Sequence, residues 1–298
     1  MRFQKSTVSS WADRYRSVQT AVDVGACYLY RYGASQRTSR FLRLPCLLLG
    51  VVVMSVPAAE PEMVLIPGGE FLRGRSHSLP DDDLKWRPTL LKDDQPAKRI
   101  YVDPFYLDEH EVTNEAYLRF LKATGRERPF HWVDGEIAEG EENHPVVNVN
   151  WYEATAYCES LGNRLPTEAE WERAARGVAE GAKFPWWEAE PNKGEQAHFD
   201  VLDGPCQVCR FPKNTFGLCD MAGNVWEWCS DRYERLYYER SPEKNPRGPD
   251  EGMYHMLRGG SWADAAKYLT CAYRSFARPR ERSPNIGFRC ARSFSQRR

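Results

Sequence analysis

Apolar and polar positions change their period along the chain. In MVLIPGGEFLRGR, residues 63–75, short apolar runs flank a Pro-Gly-Gly turn, which predicts two short strands. AKRIYVDPFYLDEHEV, residues 97–112, places Ile100 and Val102 on one side of a half-buried strand that breaks at Pro104. Between them, the polar segment 76–96 carries three prolines and no period, and predicts a surface loop. The period then lengthens. NEAYLRFLKATG brings Tyr117, Phe120 and Leu121 onto one helical face, with Thr113 or Asn114 as the N-cap and Gly125 as the stop. WYEATAYCESLG predicts a second helix running to Gly162. PTEAEWERAARG contains a capping box, in which the Thr167 hydroxyl accepts from the Glu170 amide and the Glu170 carboxylate reaches back. Trp171, Ala174 and Ala175 then face inward.

Beyond Gly177 no apolar period is long enough for a further helix. Turns, short strands and aromatic loops are expected from FPWW to GFRCAR. Two or three early helices ahead of an irregular, glycine-rich β half predict an α+β fold. No internal repeat is visible.

Composition changes this picture in two ways. Ten tryptophans, fifteen tyrosines and thirteen phenylalanines in 298 residues supply apolar area for a globular core. Charge is unevenly placed: residues 1–43 hold eight Lys/Arg against two Asp/Glu, a net of +6, in a chain of net −1, which leaves about −7 for the remainder. An acidic body without a basic stripe argues against nucleic acid as a partner.

LPCLLLGVVVMSVPAAEPE, from Leu44, is the one hydrophobic run. Its uncharged part, to Val56, is too short for a comfortable membrane span. It follows Arg40 and Arg43 and ends in small residues, with Val56 and Ala58 placed for cleavage near Ala58 or Ala59. The expectation is an export signal over 44–59, a secreted or periplasmic body over 60–293 and a short tail over 294–298. Membrane attachment would come only through an uncleaved signal, and residues 1–43 receive no fold. Cys46 does not close a lipoprotein-type box. Seven cysteines lie beyond residue 59, and in an exported protein they are disulfide candidates, with an odd one left over. CQVC at 206–209, with Cys219 and Cys229, has enough thiolates for zinc, but the spacing is not the two-knuckle pattern and disulfides are the better reading. The six histidines show no metal spacing.

Six stretches, in order, resemble one family: MVLIPGGEFLRG, FYLDEHEVTNEAYLRFL, HPVVNVNWYEATAYCESLGNRLPTEAEWERAARG, FGLCDMAGNVWEW, LRGGSW and NIGFRCAR. The family is that of the formylglycine-generating enzymes, or sulfatase-modifying factors, and the resemblance covers about 63–292. It implies a single loop-rich domain, a variant of the C-type-lectin-like fold. Members of the best-known type oxidise a cysteine of a partner sulfatase to formylglycine with copper and oxygen. Two soft thiolates hold Cu(I), and the substrate thiolate joins them. Counting from Ser261, the positions that match this pair hold Asp264 and Leu269. Asp264 is a hard oxygen donor and Leu269 donates nothing, so copper is not expected. Cys271, in CAYR, matches a later structural cysteine whose family partner corresponds to Ala175.

The resemblance also assigns other residues. In DMAGNVWE (220–227) calcium would be wrapped by the Asp220 side chain, the carbonyls of Gly223 and Val225 and the Glu227 carboxylate. The alternative is that Asp220 caps a turn and Glu227 pairs with an arginine. A second family calcium site would begin at Asp200 and Val201, in a segment that is shorter here. Cys158 and Cys290 match a family disulfide. Trp226 and Ser261 match residues lining the family's substrate and oxygen pocket, although Trp226 suits a core position as well. With Asp264 and Cys271 they are the candidates for chemistry. RSFARPRERSPN (274–285) is a solvated loop or a groove for an anionic or peptide ligand.

Three functions follow. The first is a non-standard family member that binds a peptide or protein partner in the exported compartment, stiffened by calcium and a disulfide. The second is a periplasmic oxidase of different chemistry, such as siderophore maturation. The third is the formylglycine reaction with Cys271 recruited. Whether catalysis is retained stays open at the level of sequence.

Overall fold

β1 (Met63–Ile66) and β2 (Gly69–Arg73) form where the apolar runs predict them, but the turn between them sends each to a different sheet. The computed structural model describes residues 62–77, 92–187 and 189–295. The chain divides into two units, Met1–Ala59 and Glu60–Arg298, and the described residues belong to the second. The expected leader at 44–59, the extension before it and most of the loop at 76–96 lie outside the described residues.

β2 pairs antiparallel with β3 (Lys98–Val102), which buries Phe71 against Ile100. β4 (Phe105–Asp108) pairs antiparallel with β1, Met63 opposite Asp108, and on its other edge with β9 (Ala291–Ser293). The third sheet has the order β7 (Ser275–Ala277), β6 (His255–Arg258), β5 (Trp226–Arg232), β8 (Ile286–Gly287), with β5 and β8 parallel.

The helices start and stop where their capping residues require. α1 (Asn114–Thr124) is capped by the Thr113 side chain and ends at Gly125, whose φ of 66° is left-handed. α2 (Trp151–Ser160) carries a capping box of Asn150 and Glu153 that the sequence reading did not single out. α3 (Glu168–Arg176) has the expected box of Thr167 and Glu170. After it, the longest helix among the described residues is the one-turn α4 (Tyr237–Arg240). The described part of the second unit is therefore α+β, as the change of period implies.

One core cluster lies where α1 and α2 meet the third sheet. There Tyr117, Phe120, Tyr157 and Phe288 pack ring to ring, with centroids 5.3–6.3 Å apart. Burying each such ring is worth about 2–3 kcal/mol. A second cluster joins Ile66, Phe105 and Leu107 to Trp171 of α3. Beside it α3 presents Glu168 and Glu172 on one face, both fully buried. Arg274 donates to Glu168 at 2.7 Å, while Arg258 and Arg176 donate to Glu172 at 2.6 and 2.7 Å. Burial alone would raise both carboxylates, but these guanidinium groups hold them below the usual range. Arg258 and Arg274 are thus partners in core ion pairs.

Cys158, in the last turn of α2, is bonded to Cys290, just ahead of β9. Closing 132 residues contributes about 5 kcal/mol through unfolded-chain entropy. Cys209 and Cys219 form a second disulfide, so CQVC, Cys219 and Cys229 do not offer four thiolates to zinc. Cys206, Cys229 and Cys271 are free and buried.

Candidate functional site

The turn 220–224 is built by three left-handed residues: Asp220 at φ 54°, Gly223 at 79° and Asn224 at 55°. A Cβ on Gly223 would stand 2.5 Å from the His198 carbonyl oxygen, so only glycine fits. The turn folds against the residues that follow β4. There Glu111 is fully buried; its Oε1 accepts from the Asn224 amide at 3.1 Å, and its Oε2 has no hydrogen-bond partner. Asp220 accepts from the Cys209 N–H at 2.6 Å. Glu227 is engaged more fully: Arg289 grips it with a two-pronged fork at 2.7 and 2.8 Å, and the Trp171 indole donates to it at 2.8 Å.

Burial raises Asp220 to about 6, and burial followed by the Asp220 charge pushes Glu111 well above its ordinary value. Arg289 is the guanidinium acting on all three carboxylates. A crowded, undercompensated set of hard oxygens suits calcium. Glu111 is the residue the sequence reading missed. Its Oε2 has no hydrogen-bond partner, whereas Glu227 makes the arginine pair weighed as the alternative. Glu109, Cys209 and Cys219 also bring three ligand-type atoms within 4.8 Å of one another. The two sulfurs are bonded to each other, however, and Glu109 pairs with Lys213. Among the described residues no other three Asp, Glu, His or Cys side chains converge so closely. A calcium at the turn therefore needs the Gly223 and Val225 carbonyls as well as Glu111 and Asp220. A small open cleft, walled by Trp186, Pro212, Lys213 and Asp220, opens on the same turn.

At the second calcium position the oxygens already hold a cation. The Lys193 ammonium bonds the Asp200 carbonyl and lies 3.3 Å from its Oδ2. The backbone of Asp200 and Val201 donates to the carbonyls of Asp264 and Trp262, which ties this segment to the loop after β6.

That loop gathers Trp226, Ser261 and Asp264. Asp264 Oδ2 accepts from the Trp226 indole at 2.8 Å and from the Ser261 hydroxyl. The Asn285 amide donates to Ser261 Oγ at 3.2 Å, and the Ser283 hydroxyl donates to Asn285 at 2.6 Å. Tyr273 stands beside Trp226, with Tyr268 edge-on to Tyr273. Asn285, Tyr268 and Tyr273 had drawn no attention in the sequence. Leu269 is fully buried with Phe184 and Phe199 and packs against Gly260. Cys271 lies elsewhere, in the cluster around Trp171, where burial pushes its thiol up to about 12.

Residues 51–294 match the family described as sulfatase-modifying factor enzyme 1-like domain. The chain is 38% identical over 259 residues to serine/threonine-protein kinase pkn1 of Chlamydia pneumoniae, covering 80% of this chain and 39% of that one. It is 34% identical over 297 residues to the formylglycine-generating enzyme of Streptomyces coelicolor, covering 79% and 91%. PvdO from Pseudomonas aeruginosa shares the fold at a TM-score of 0.65 and 27% identity, over 78% of this chain and 95% of that one. The chain spans under two fifths of the length of the kinases it matches.

Proposed function

Because the chain belongs to the sulfatase-modifying factor family, we propose that it is an exported binding member of that family, one that holds a peptide or protein partner without copper-dependent thiol oxidation. The observation that carries this reading is what stands at the two copper positions. Asp264 is committed to Trp226 and Ser261, and Leu269 is sealed in an apolar cluster. Monovalent copper is held by soft thiolates, and neither side chain supplies one. Cys271 is no substitute. It is fully buried, and a thiol pushed up to about 12 stays protonated near neutrality, whereas the thiolate is the ligand and nucleophile. The export half of the reading rests on the leader-like run at 44–59.

Calcium has a structural part here. Bound by Glu111, Asp220 and the carbonyls of Gly223 and Val225, it would neutralise the carboxylates and pin the 220–224 turn to the end of β4. The Arg289 fork, from the residue beside the Cys158–Cys290 bridge, holds Glu227 in place.

The test is to incubate the full chain with Cu(I) and a Cys-x-Pro-x-Arg peptide, then search for the aldehyde by mass spectrometry. The expected result is unmodified peptide that still binds. Aldehyde that disappears in Cys271→Ser would overturn the proposal.

A further inference from the structure

Asp264 is a charged group supported entirely by neutral donors. We propose that the patch formed by Asp264, Ser261, Trp226, Tyr268 and Tyr273 is a subsite for a cationic side chain, the ammonium or guanidinium of a lysine or arginine in a peptide partner. The inference deepens the binding reading above and rests on it.

Four observations support it. Asp264 Oδ2 receives the Trp226 N–H and the Ser261 O–H, so the carboxylate is fixed before any ligand arrives. Asn285 donates to Ser261 Oγ, which leaves the serine hydrogen committed to Asp264. Among the described residues, no lysine, arginine or histidine pairs with Asp264 and no donor reaches Oδ1, although the residue is only half-buried. A partly desolvated carboxylate in that state gains most from a cation.

The second observation is the aromatic setting. Tyr273 lies 6.0 Å from Trp226 and Tyr268 lies 4.9 Å from Tyr273 at 87°, so two half-buried phenol rings at right angles extend from the indole that donates to the carboxylate. A cation within about 6 Å of such a ring centroid is attracted to its face. Third, the chain itself uses one of these rings that way: the Lys267 ammonium lies 5.0 Å from the Tyr268 centroid. Fourth, the Asp264 charge is felt at Tyr273. Burial raises the Tyr273 hydroxyl, and Tyr268 and then the charges of Asp93, Asp264 and Asp94 raise it further. A divalent ion suits the patch less well, since one carboxylate, one hydroxyl and one amide fall short of the six to eight oxygens calcium takes.

The experiment is isothermal titration of the full chain with Ac-Ala-Pro-Xaa-Ala-amide, where Xaa is Lys, Arg, Met or Glu. The Lys and Arg peptides should bind about tenfold or more tightly than the Met and Glu peptides, with the margin shrinking as salt is added. Asp264→Asn keeps an acceptor for Trp226 and Ser261 and should erase the margin. Tyr268→Leu, at a half-buried ring, should reduce it several-fold while thermal unfolding stays near wild type. Equal binding of all four peptides, or a margin that survives Asp264→Asn, would overturn the cation subsite and leave the binding reading standing. No binding of the Lys and Arg peptides up to millimolar concentration would overturn the subsite as well. Copper-dependent aldehyde formation in the assay above would overturn the binding reading itself.

Discussion

Asp231→Asn should remove one contribution to the pH dependence of stability between about pH 4 and pH 7. Asp231, in β5, is 2% exposed; it accepts from the Glu168 amide in the first turn of α3 at 2.9 Å and from the Ser230 hydroxyl at 3.1 Å. Among the described residues it has no ion-pair partner, and the Glu168 carboxylate is a neighbour of the same sign. Burial first, and the Glu168 charge second, raise its pKa from 3.8 to about 7. Between those values the folded chain binds the proton more tightly than the unfolded chain, so stability falls as pH rises through the window. At about 1.4 kcal/mol per pH unit the full cost of ionisation is roughly 4–4.5 kcal/mol. Asparagine keeps an acceptor for the Glu168 N–H and never ionises. The variant should therefore gain about 2–4 kcal/mol over wild type at pH 8, a rise in Tm of roughly 5–10 °C, and differ by about 1 kcal/mol or less at pH 4. Thermal unfolding followed by circular dichroism at pH 4, 6 and 8 measures the difference directly, because buried acids such as Asp108 titrate in both proteins and cancel. A variant that is equally destabilised at all three pH values would refute the reasoning.

Removing the Cys158–Cys290 bridge by a double alanine substitution should cost about 5 kcal/mol in urea unfolding, against about 2.7 kcal/mol for Cys209–Cys219, because the loops closed differ so much in length. Calcium at a hundred times its Kd should stabilise the chain by about 2.7 kcal/mol, and Glu111→Gln or Asp220→Asn should abolish that gain in thermal unfolding. Equilibrium dialysis should find one calcium per chain, since Lys193 occupies the Asp200 oxygens. Cys271 should resist iodoacetamide in the native protein and react once unfolded, as read by peptide mass mapping.

What the sequence revealed was mostly local. The caps Thr113 and Thr167 and the stop at Gly125 are encoded within a few residues of the helices they bound, and each forms as read. The pairing of β4 with β1 and with β9 is not encoded that way, because it joins segments about 40 and about 185 residues apart through their backbones. Arg258 and Arg274 flank a stretch rich in glycine and aromatics, and nothing near them in sequence says what they do. Their role depends on Glu168 and Glu172, on a helix some ninety residues earlier. Glu111 was invisible for the same reason. In DEHEV nothing separates it from Glu109, and its meaning comes from Asn224 and Asp220, which the fold brings to it. Leu269, in contrast, was legible at once, since a leucine cannot ligate copper wherever it lies.

The strand arrangement β1-β4-β9 has an architectural consequence. Both outer strands run antiparallel to the middle one, so the first residue of β1 and the last of β9 are separated by two strand spacings across the sheet and one short strand along it. That distance is roughly 14 Å. A linker of about five residues spans it. Entry and exit of the domain are thus near neighbours, which makes it a cassette that another protein can carry in a surface loop, and a scaffold whose ends can be joined and reopened elsewhere by circular permutation.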